Sequence, residues 1–394
     1  MKRSAQVIFT VLALVLLWGT LLTSTLGERE EVSFYEQRSL AVFPTPSWST
    51  LWDGSFFTDV ETWLTDHVSY REDVMKGDTQ LSLALGRPVV NDLLVSQDLL
   101  LDYYGFLTWD LGYLDELAAN QAKAYAQVQE TVESYGGYFC FVGLPQQTTY
   151  FADRYPDYQD SRAWHTQGIR TAFSQAMEEA GVPFLSLYEI YEDLGFPEEY
   201  YAKSDHHFTY EGAFAACAAI VDRIAADTGL PIPPLQQEDF TWHTLDLPFL
   251  GSSNRKLYHL WKGEERLDYA TPKEEIPFTR ADNGQTVPAQ VFSLPQEGAD
   301  YVDYSLYMGG DVGETVIFTN RPELPNALIW GDSFTNPLET LLWTKFDETR
   351  SLDYRYYGEM GILQYLQTYQ PDVVLLVRDE STYFLTDGNG AVQE

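Results

Sequence analysis

Positive charge is scarce in this chain: 24 lysines and arginines stand against 59 aspartates and glutamates in 394 residues, for a formal charge of −35. The acidic side chains are spread along the whole length, and no Lys/Arg cluster interrupts them. A surface of that sign repels phosphate backbones, which argues against a nucleic-acid partner, and the acidity reads chiefly as a solubility feature. Cysteine is scarcer still, with two residues. Cys140 falls in an apparent strand and Cys217 in an apparent helix, both in apolar surroundings, so they read as buried thiols before they read as a disulfide. Cys and His occur at no metal-ligand spacing, and neither a metal nor a cofactor is expected. Internal repeats and low-complexity tracts are also missing. Global disorder is excluded by what is present: 45% hydrophobic and 15% aromatic residues suffice for a sizeable core.

The amino terminus has one long apolar run. Lys2 and Arg3 precede 22 uncharged residues from Ala5 to Leu26, and Glu28, Glu30 and Glu31 follow. That length crosses a bilayer as a helix, and the positive flank leaves the rest of the chain extracytoplasmic. Residues 1–27 therefore read as a signal anchor and 28–394 as an extracytoplasmic domain, joined by a polar linker over Gly27 to Phe34. Small residues Ser24 and Gly27 allow the alternative of a cleaved, secreted form, although no clear A-x-A site is present.

Beyond the linker, the second half of the segment that ends in Glu61 to Glu72 has helical periodicity, with Val60, Trp63, Leu64, His67 and Val68 on one face. A long helix over Leu111 to Tyr135 stops at Gly136-Gly137, and Tyr138 to Leu144 is a buried strand ending at Pro145. A helix from Ser161 to Ala180, a strand in PFLSLYEIY, and a helix from Thr209 to Thr228 continue the alternation. From 229 to 325 the rhythm stops in a Pro-, Gly- and Trp-rich segment, read as an irregular and β insertion with VFSLP and TVIFT as its strand-like pieces. It resumes with NALIWGDSF, helices over Pro337 to Phe346 and Gly358 to Tyr369, and a buried strand from Asp372 to Val377. Strands alternating with helices imply an α/β fold, a parallel sheet flanked by helices.

Two short segments can carry chemistry. Gly331-Asp332-Ser333-Phe334 follows an apolar strand and precedes a helix, which puts Ser333 at the carboxyl edge of the sheet near a helix amino terminus. A serine nucleophile needs an imidazole base, and the imidazole needs a carboxylate to fix its tautomer. Ser204-Asp205-His206-His207-Phe208 offers both, with His207 as base, Asp205 as its orienting carboxylate and His206 turned to substrate or to a structural bond. Taken singly, each segment also fits a helix cap, and the histidines fit a metal site.

The DHHF and GDSF segments together resemble the SGNH-like proteins of the DHHW family and the related alginate O-acetylation proteins, in which an Asp-x-His pair precedes the GDS serine. EQRSLAVFP with DGSFFTDVETWLTDHVSYRE is similar to that group's amino-terminal signature, VGLPQQTTYFADRYP to a strand-ending region, and RYYGEMGILQYLQTYQPDVVLLV to its final helix and strand. The correspondences run in order through most of residues 35 to 378. Phe208 stands where the pattern has Trp, and Gln146 and Gln147 stand where it often has Lys.

The resemblance implies an SGNH-hydrolase-like fold and transfer or removal of acetyl esters on an extracellular polysaccharide or oligosaccharide, with Ser333, His207 and Asp205 as the triad. The Ser333 N–H is the first oxyanion donor; Asn336 or Arg355 can add a second, although a surface salt bridge explains Arg355 equally well. Gln146 and His206 are candidate substrate contacts, and Tyr200, Tyr201, Trp242, Trp261, Tyr356 and Tyr357 can stack on sugars or simply pack. A multipass membrane O-acyltransferase is the implied acyl-donor partner. The reading from a different class is a non-catalytic cell-surface polysaccharide-binding or assembly factor on the same fold, and a general lipolytic esterase is a weaker third.

Overall fold

The computed structural model describes residues 2–26, 31–36, 38–103 and 109–393, so the first half of the expected linker, residues 27–30, lies outside the described residues. The chain divides into two compact units, one of residues 1–95 with 254–262 and the other of residues 96–253 with 263–394.

The first unit begins with the helix Lys2–Leu26. Its stretch Gln6–Ser24 is, among the described residues, the one helix long and apolar enough to cross a membrane. Three more helices follow, Trp48–Asp53, Ser55–Asp66 and Arg71–Ala84. The single helix expected across Glu61 to Glu72 is thus two. His67 ends the first by setting its ring Nδ1 2.9 Å from the Trp63 carbonyl, and Tyr70 enters the second with φ 62°. A clasp of charges ties the segment before these helices to them. Arg38 donates through both terminal nitrogens to Asp66, at 2.9 and 2.5 Å, and Arg71 pairs with Glu36 at 2.9 Å. Asp66 also accepts the Ala41 N–H at 2.9 Å. The Arg38 hydrogen bonds hold the Asp66 carboxyl down at about 2, against the effect of its burial.

The second unit is organised by an eight-stranded sheet. Its strands are β1 (Tyr138–Leu144), β2 (Phe184–Ser186), β3 (Thr279–Asp282), β4 (Gln285–Val287), β5 (Glu314–Phe318), β6 (Ala327–Gly331), β7 (Glu348–Leu352) and β8 (Val373–Asp379), in spatial order β4-β3-β5-β7-β6-β8-β1-β2. From β7 to β2 every pairing is parallel. β6 and β8 are buried at every position, as strands covered on both faces are, which is why β6 and Val373–Val377 of β8 read as unbroken apolar runs. Phe139, Phe141, Leu328, Trp330, Val374 and Leu376 join residues of the helices Leu114–Ser134, Ala163–Ala180 and Ile362–Tyr369 in one core. Outside that cluster the helices Tyr210–Thr228 and Thr335–Leu342 meet through Cys217 and the Leu338 carbonyl, 3.7 Å, and Tyr210 and Thr340, 3.0 Å. Cys140 and Cys217 are both buried and unbridged.

Three details differ from the sequence reading. The sheet is mixed, because β5, β3 and β4, all from residues 229–325, extend the parallel strands antiparallel from β7. The strand expected in PFLSLYEIY stops at Ser186, whose hydroxyl accepts the Glu189 N–H and caps a helix over Leu187–Asp193. β7 has no apolar run to announce it: Glu348 and Arg350 pair with each other at 2.6 Å on one face while Thr349 and Ser351 are buried on the other.

Candidate functional site

The carboxyl ends of the parallel strands gather the chemistry-bearing residues. β6 runs out at Gly331, where a Cβ would lie 2.7 Å from the Val377 carbonyl of β8 and 2.5 Å from the Thr335 side chain, so the tight exit requires glycine. The chain turns over Asp332 and Ser333 into the helix Thr335–Leu342. Asp332 braces that turn: its carboxylate accepts the Phe334 N–H at 3.1 Å and its carbonyl accepts Thr335 N–H at 2.8 Å. The Ser333 N–H takes no backbone partner among the described residues and sits at this helix entrance.

Facing it is the loop of residues 202–207, closed at its base by a hydrogen bond from Ala202 N–H to the His207 carbonyl at 3.1 Å and by a bridge between Tyr201 and Phe208. Thr209 caps the following helix by accepting the Gly212 N–H at 3.2 Å, so the capping alternative belongs to Thr209 and leaves the Asp and His side chains for other work. His207 Nδ1 lies 2.6 Å from Asp205 Oδ1, and its Nε2 lies 2.7 Å from Ser333 Oγ. Asp205 is held in turn by the His207 N–H at 3.0 Å and by the Ser252 N–H at 2.6 Å.

Burial alone would raise the Asp205 carboxyl, but the neighbouring His207 and His206 and the donated hydrogen bonds outweigh it and keep the group well below the usual carboxylate range. Burial, reinforced by His206, pushes the His207 imidazole down to about 4 despite Asp205. The ring is therefore neutral at pH 7, with Nδ1 donating to Asp205 and Nε2 free to accept the serine proton.

Asp205, His206 and His207 also bring one ligand atom each to within 4.8 Å of one another, the arrangement a metal would use. Asp205 and His207 spend those atoms on each other, on Ser252 and on Ser333. His206 is exposed and pairs through Nδ1 with Ser252 Oγ at 2.9 Å.

Four supporting residues have no counterpart in the sequence reading. Glu265 accepts the Lys203 N–H at 2.7 Å, the Ser204 N–H at 3.0 Å and the Ser204 hydroxyl at 2.5 Å, which fixes the loop ahead of Asp205. Gly251 lets residues 251–253 approach that loop: a Cβ there would stand 2.1 Å from the Ser204 carbonyl. Ser252 supplies the Asp205 and His206 contacts. Tyr304 stacks on the His207 ring, centroids 3.9 Å apart and planes 9° from parallel. All four come from residues 229–325, where the sequence signal was a bare cluster of small residues, Gly251-Ser252-Ser253, and one tyrosine among many.

The other candidates divide. Gln146 and His206 line a cleft of about 170 Å³ beside the triad, with Thr148, Phe334, Asp379 and Asp102. Asn336 and Arg355 meet on the same carboxylate: Asn336 Nδ2 donates to Asp311 Oδ1 at 3.0 Å and Arg355 Nη2 to Asp311 Oδ2 at 2.9 Å. Arg355 is also paired with Asp353, so the salt-bridge alternative describes it. Of the aromatic candidates in this unit, Tyr201 and Tyr357 are buried, and Tyr356 is exposed.

Residues 106–282 match the family model of the SGNH hydrolase-like domain of the acetyltransferase AlgX. The matched stretch contains Asp205 and His207 and stops before Ser333. No curated protein matches the chain in sequence. Among solved structures, PatB1 of Bacillus cereus is similar at 22% identity with a TM-score of 0.63, over 76% of this chain and 99% of that one. The same protein with a sulfonyl adduct is similar at 20% identity and a TM-score of 0.63, over 78% and 100%. A DHHW family protein of Eubacterium siraeum is similar at 18% identity with a TM-score of 0.56, over 75% and 93%. At these identities the likeness is one of fold. Residues 106–282 are thus similar in sequence to the SGNH hydrolase-like domain of AlgX, and the chain is similar in fold to the DHHW family protein and PatB1.

Proposed function

We propose that this chain is an acyl-transfer enzyme that moves or removes acetyl esters on a polysaccharide outside the cytoplasm, with Ser333 as nucleophile, His207 as general base and Asp205 as the carboxylate orienting that base. The observation that carries the reading is the unbroken line of hydrogen bonds from Asp205 through His207 to Ser333, 2.6 and 2.7 Å long. The acetyltransferase description of the matched family supports the acyl group, and the sulfonyl adduct of PatB1 supports a reactive group in this fold.

In the first half-reaction Ser333 Oγ attacks the carbonyl carbon of an acetyl ester while His207 Nε2 takes its proton. The tetrahedral oxyanion faces the Ser333 N–H, a donor type whose loss costs about 10²–10³ in rate. Collapse breaks the ester C–O bond, and the donor alcohol leaves with the proton from His207. In the second half-reaction a sugar hydroxyl, or water in an esterase, gives its proton to His207 and attacks acetyl-Ser333. The acetyl group departs on the new oxygen, and the proton returns to Ser333 Oγ.

The helix Lys2–Leu26, with Lys2 and Arg3 at its start, supports an anchored enzyme with its site outside the cytoplasm. A transferase there draws its acetyl group from a membrane donor, and a multipass O-acyltransferase is the partner that fits. The test is hydrolysis of a chromogenic acetyl ester by the full chain in detergent. Wild-type turnover should exceed that of Ser333→Ala and His207→Ala by at least about 10³-fold. Equal rates in all three would leave the non-catalytic polysaccharide-binding reading standing.

A further inference from the structure

The cleft beside the triad is polar, and its charges have one sign. Gln146 Nε2 reaches Asp379 Oδ1 at 3.3 Å, and the Thr148 hydroxyl donates to Gln146 Oε1 at 3.4 Å. Asp102 and Asp379 line the same hollow, His206 and Phe334 form its aromatic side, and among the described residues its lining contains no lysine or arginine.

Several cations elsewhere in this unit are paired with carboxylates. Arg170 pairs with Glu380 at 2.6 Å, Lys203 with Glu198 at 2.9 Å, Arg154 with Asp98 at 2.6 Å, and Arg355 with Asp311 and Asp353. An anionic sugar entering here meets the carboxylates of Asp102 and Asp379 and no lysine or arginine in the described lining, inside a protein of net charge −35. Uncharged sugar hydroxyls find amide and hydroxyl partners at Gln146 and Thr148, and the C–H face of a pyranose finds Phe334 and the exposed His206 ring.

We infer that the acyl acceptor is a neutral glycan and that the cleft discriminates against uronate-bearing chains. The inference rests on the acyl-transfer reading for its chemistry: the acceptor's hydroxyl proton passes to His207 Nε2, its oxygen takes the acetyl group from Ser333, and the Ser333 hydroxyl is restored. The charge preference itself is a property of the cleft and is measurable without turnover.

Two experiments separate the claims. With the full chain in detergent and a chromogenic acetyl ester as donor, a neutral glucan or chitin-type pentasaccharide and an oligouronate of equal length are compared as acceptors by mass spectrometry of the products. The neutral oligomer should be acetylated at least about tenfold more efficiently at low salt, with the gap narrowing as salt rises, because a single like-charge encounter near a protein surface is worth about that factor. Gln146→Lys should shrink the discrimination toward unity.

The second experiment titrates the same two oligomers into Ser333→Ala protein by isothermal calorimetry. Tighter binding of the neutral oligomer supports the inference even where the triad proves silent. Equal or tighter binding of the uronate, or binding of neither, overturns it. Failure of ester turnover with a retained neutral preference would sink the acyl-transfer reading and leave the cleft's selectivity in place.

Discussion

Tyr304 lies flat against His207, with ring centroids 3.9 Å apart and planes 9° from parallel. Asp205 and Ser333 fix the two ends of the imidazole through its nitrogens, and a stacked ring fixes the plane in which both bonds can be made at once. Phe334 meets the same imidazole edge-on at 4.7 Å. A segment with no helical or strand rhythm in sequence thus supplies the side chain that holds the base.

If Tyr304 acts by holding that plane, Tyr304→Phe should keep ester turnover within about twofold of wild type, because the stack survives. Tyr304→Ala should lower kcat about 3–10-fold with little change in KM, the equivalent of a lost aromatic contact of about 0.5–1.5 kcal/mol. Steady-state kinetics on the chromogenic ester reads the split, and a loss confined to KM would assign Tyr304 to substrate binding instead.

The depressed His207 makes a prediction about pH. A base must be neutral to accept the serine proton, so activity falls as pH drops through the folded-state value, which burial and His206 set at about 4. The acid limb of kcat/KM should therefore lie near pH 4, well under the 6.5 of an unperturbed imidazole. Removing the neighbouring imidazole that helps hold the value down, with His206→Ala, should move that limb upward. A limb that stays at 6.5 in both proteins would show that His207 is not the titrating base.

Glu265 anchors the loop ahead of Asp205 with three accepted hydrogen bonds. In Glu265→Gln one carboxylate oxygen becomes an NH₂ facing donors, so at least one buried N–H loses its acceptor at a cost of about 1–3 kcal/mol. Thermal unfolding should register that loss as a lower Tm. Hydrogen exchange at Lys203 and Ser204 should quicken, and an unchanged exchange rate there would count against Glu265 as the anchor.

The Arg38 and Asp66 clasp predicts a structural phenotype in the first unit. Arg38→Ala should lower that unit's stability by about 1–2 kcal/mol, a figure kept small because Arg38 is partly exposed. Limited proteolysis between residues 31 and 95 reads it. Stability from this pair is present above the unfolded carboxyl value and declines as pH falls toward about 2, where Asp66 protonates.

These residues also show where the sequence was legible. β6 and Val373–Val377 of β8 declared themselves because strands buried on both faces are mostly apolar, and Gly331 and Ser333 stood at the end of one of them. Asp205 and His207 were visible for a local reason: two residues of separation is all their bond requires, and the DHHF and GDSF segments retain their chemistry as short strings. Arg38 and Asp66 lay in the two signature pieces, but the sequence could not say that those pieces grip each other 28 residues apart. Glu265, Gly251 and Tyr304 were illegible for a different reason. Each matters through one tertiary approach, to Ser204 or to His207, and nothing in residue type or spacing marks which glutamate, glycine or tyrosine makes it. β7 escaped because Glu348 and Arg350 satisfy each other on its outer face, leaving no hydrophobic alternation to read.

The central claim, that Ser333 is a nucleophile driven by His207, is tested most directly by covalent labelling. The full chain in detergent is treated with an aryl sulfonyl fluoride at neutral pH, and the adduct is mapped by peptide mass spectrometry. The account predicts one adduct on the Ser333 peptide, abolished in Ser333→Ala and slowed at least about 100-fold in His207→Ala. Labelling at another residue, or labelling of Ser333 at the same rate without His207, would contradict it.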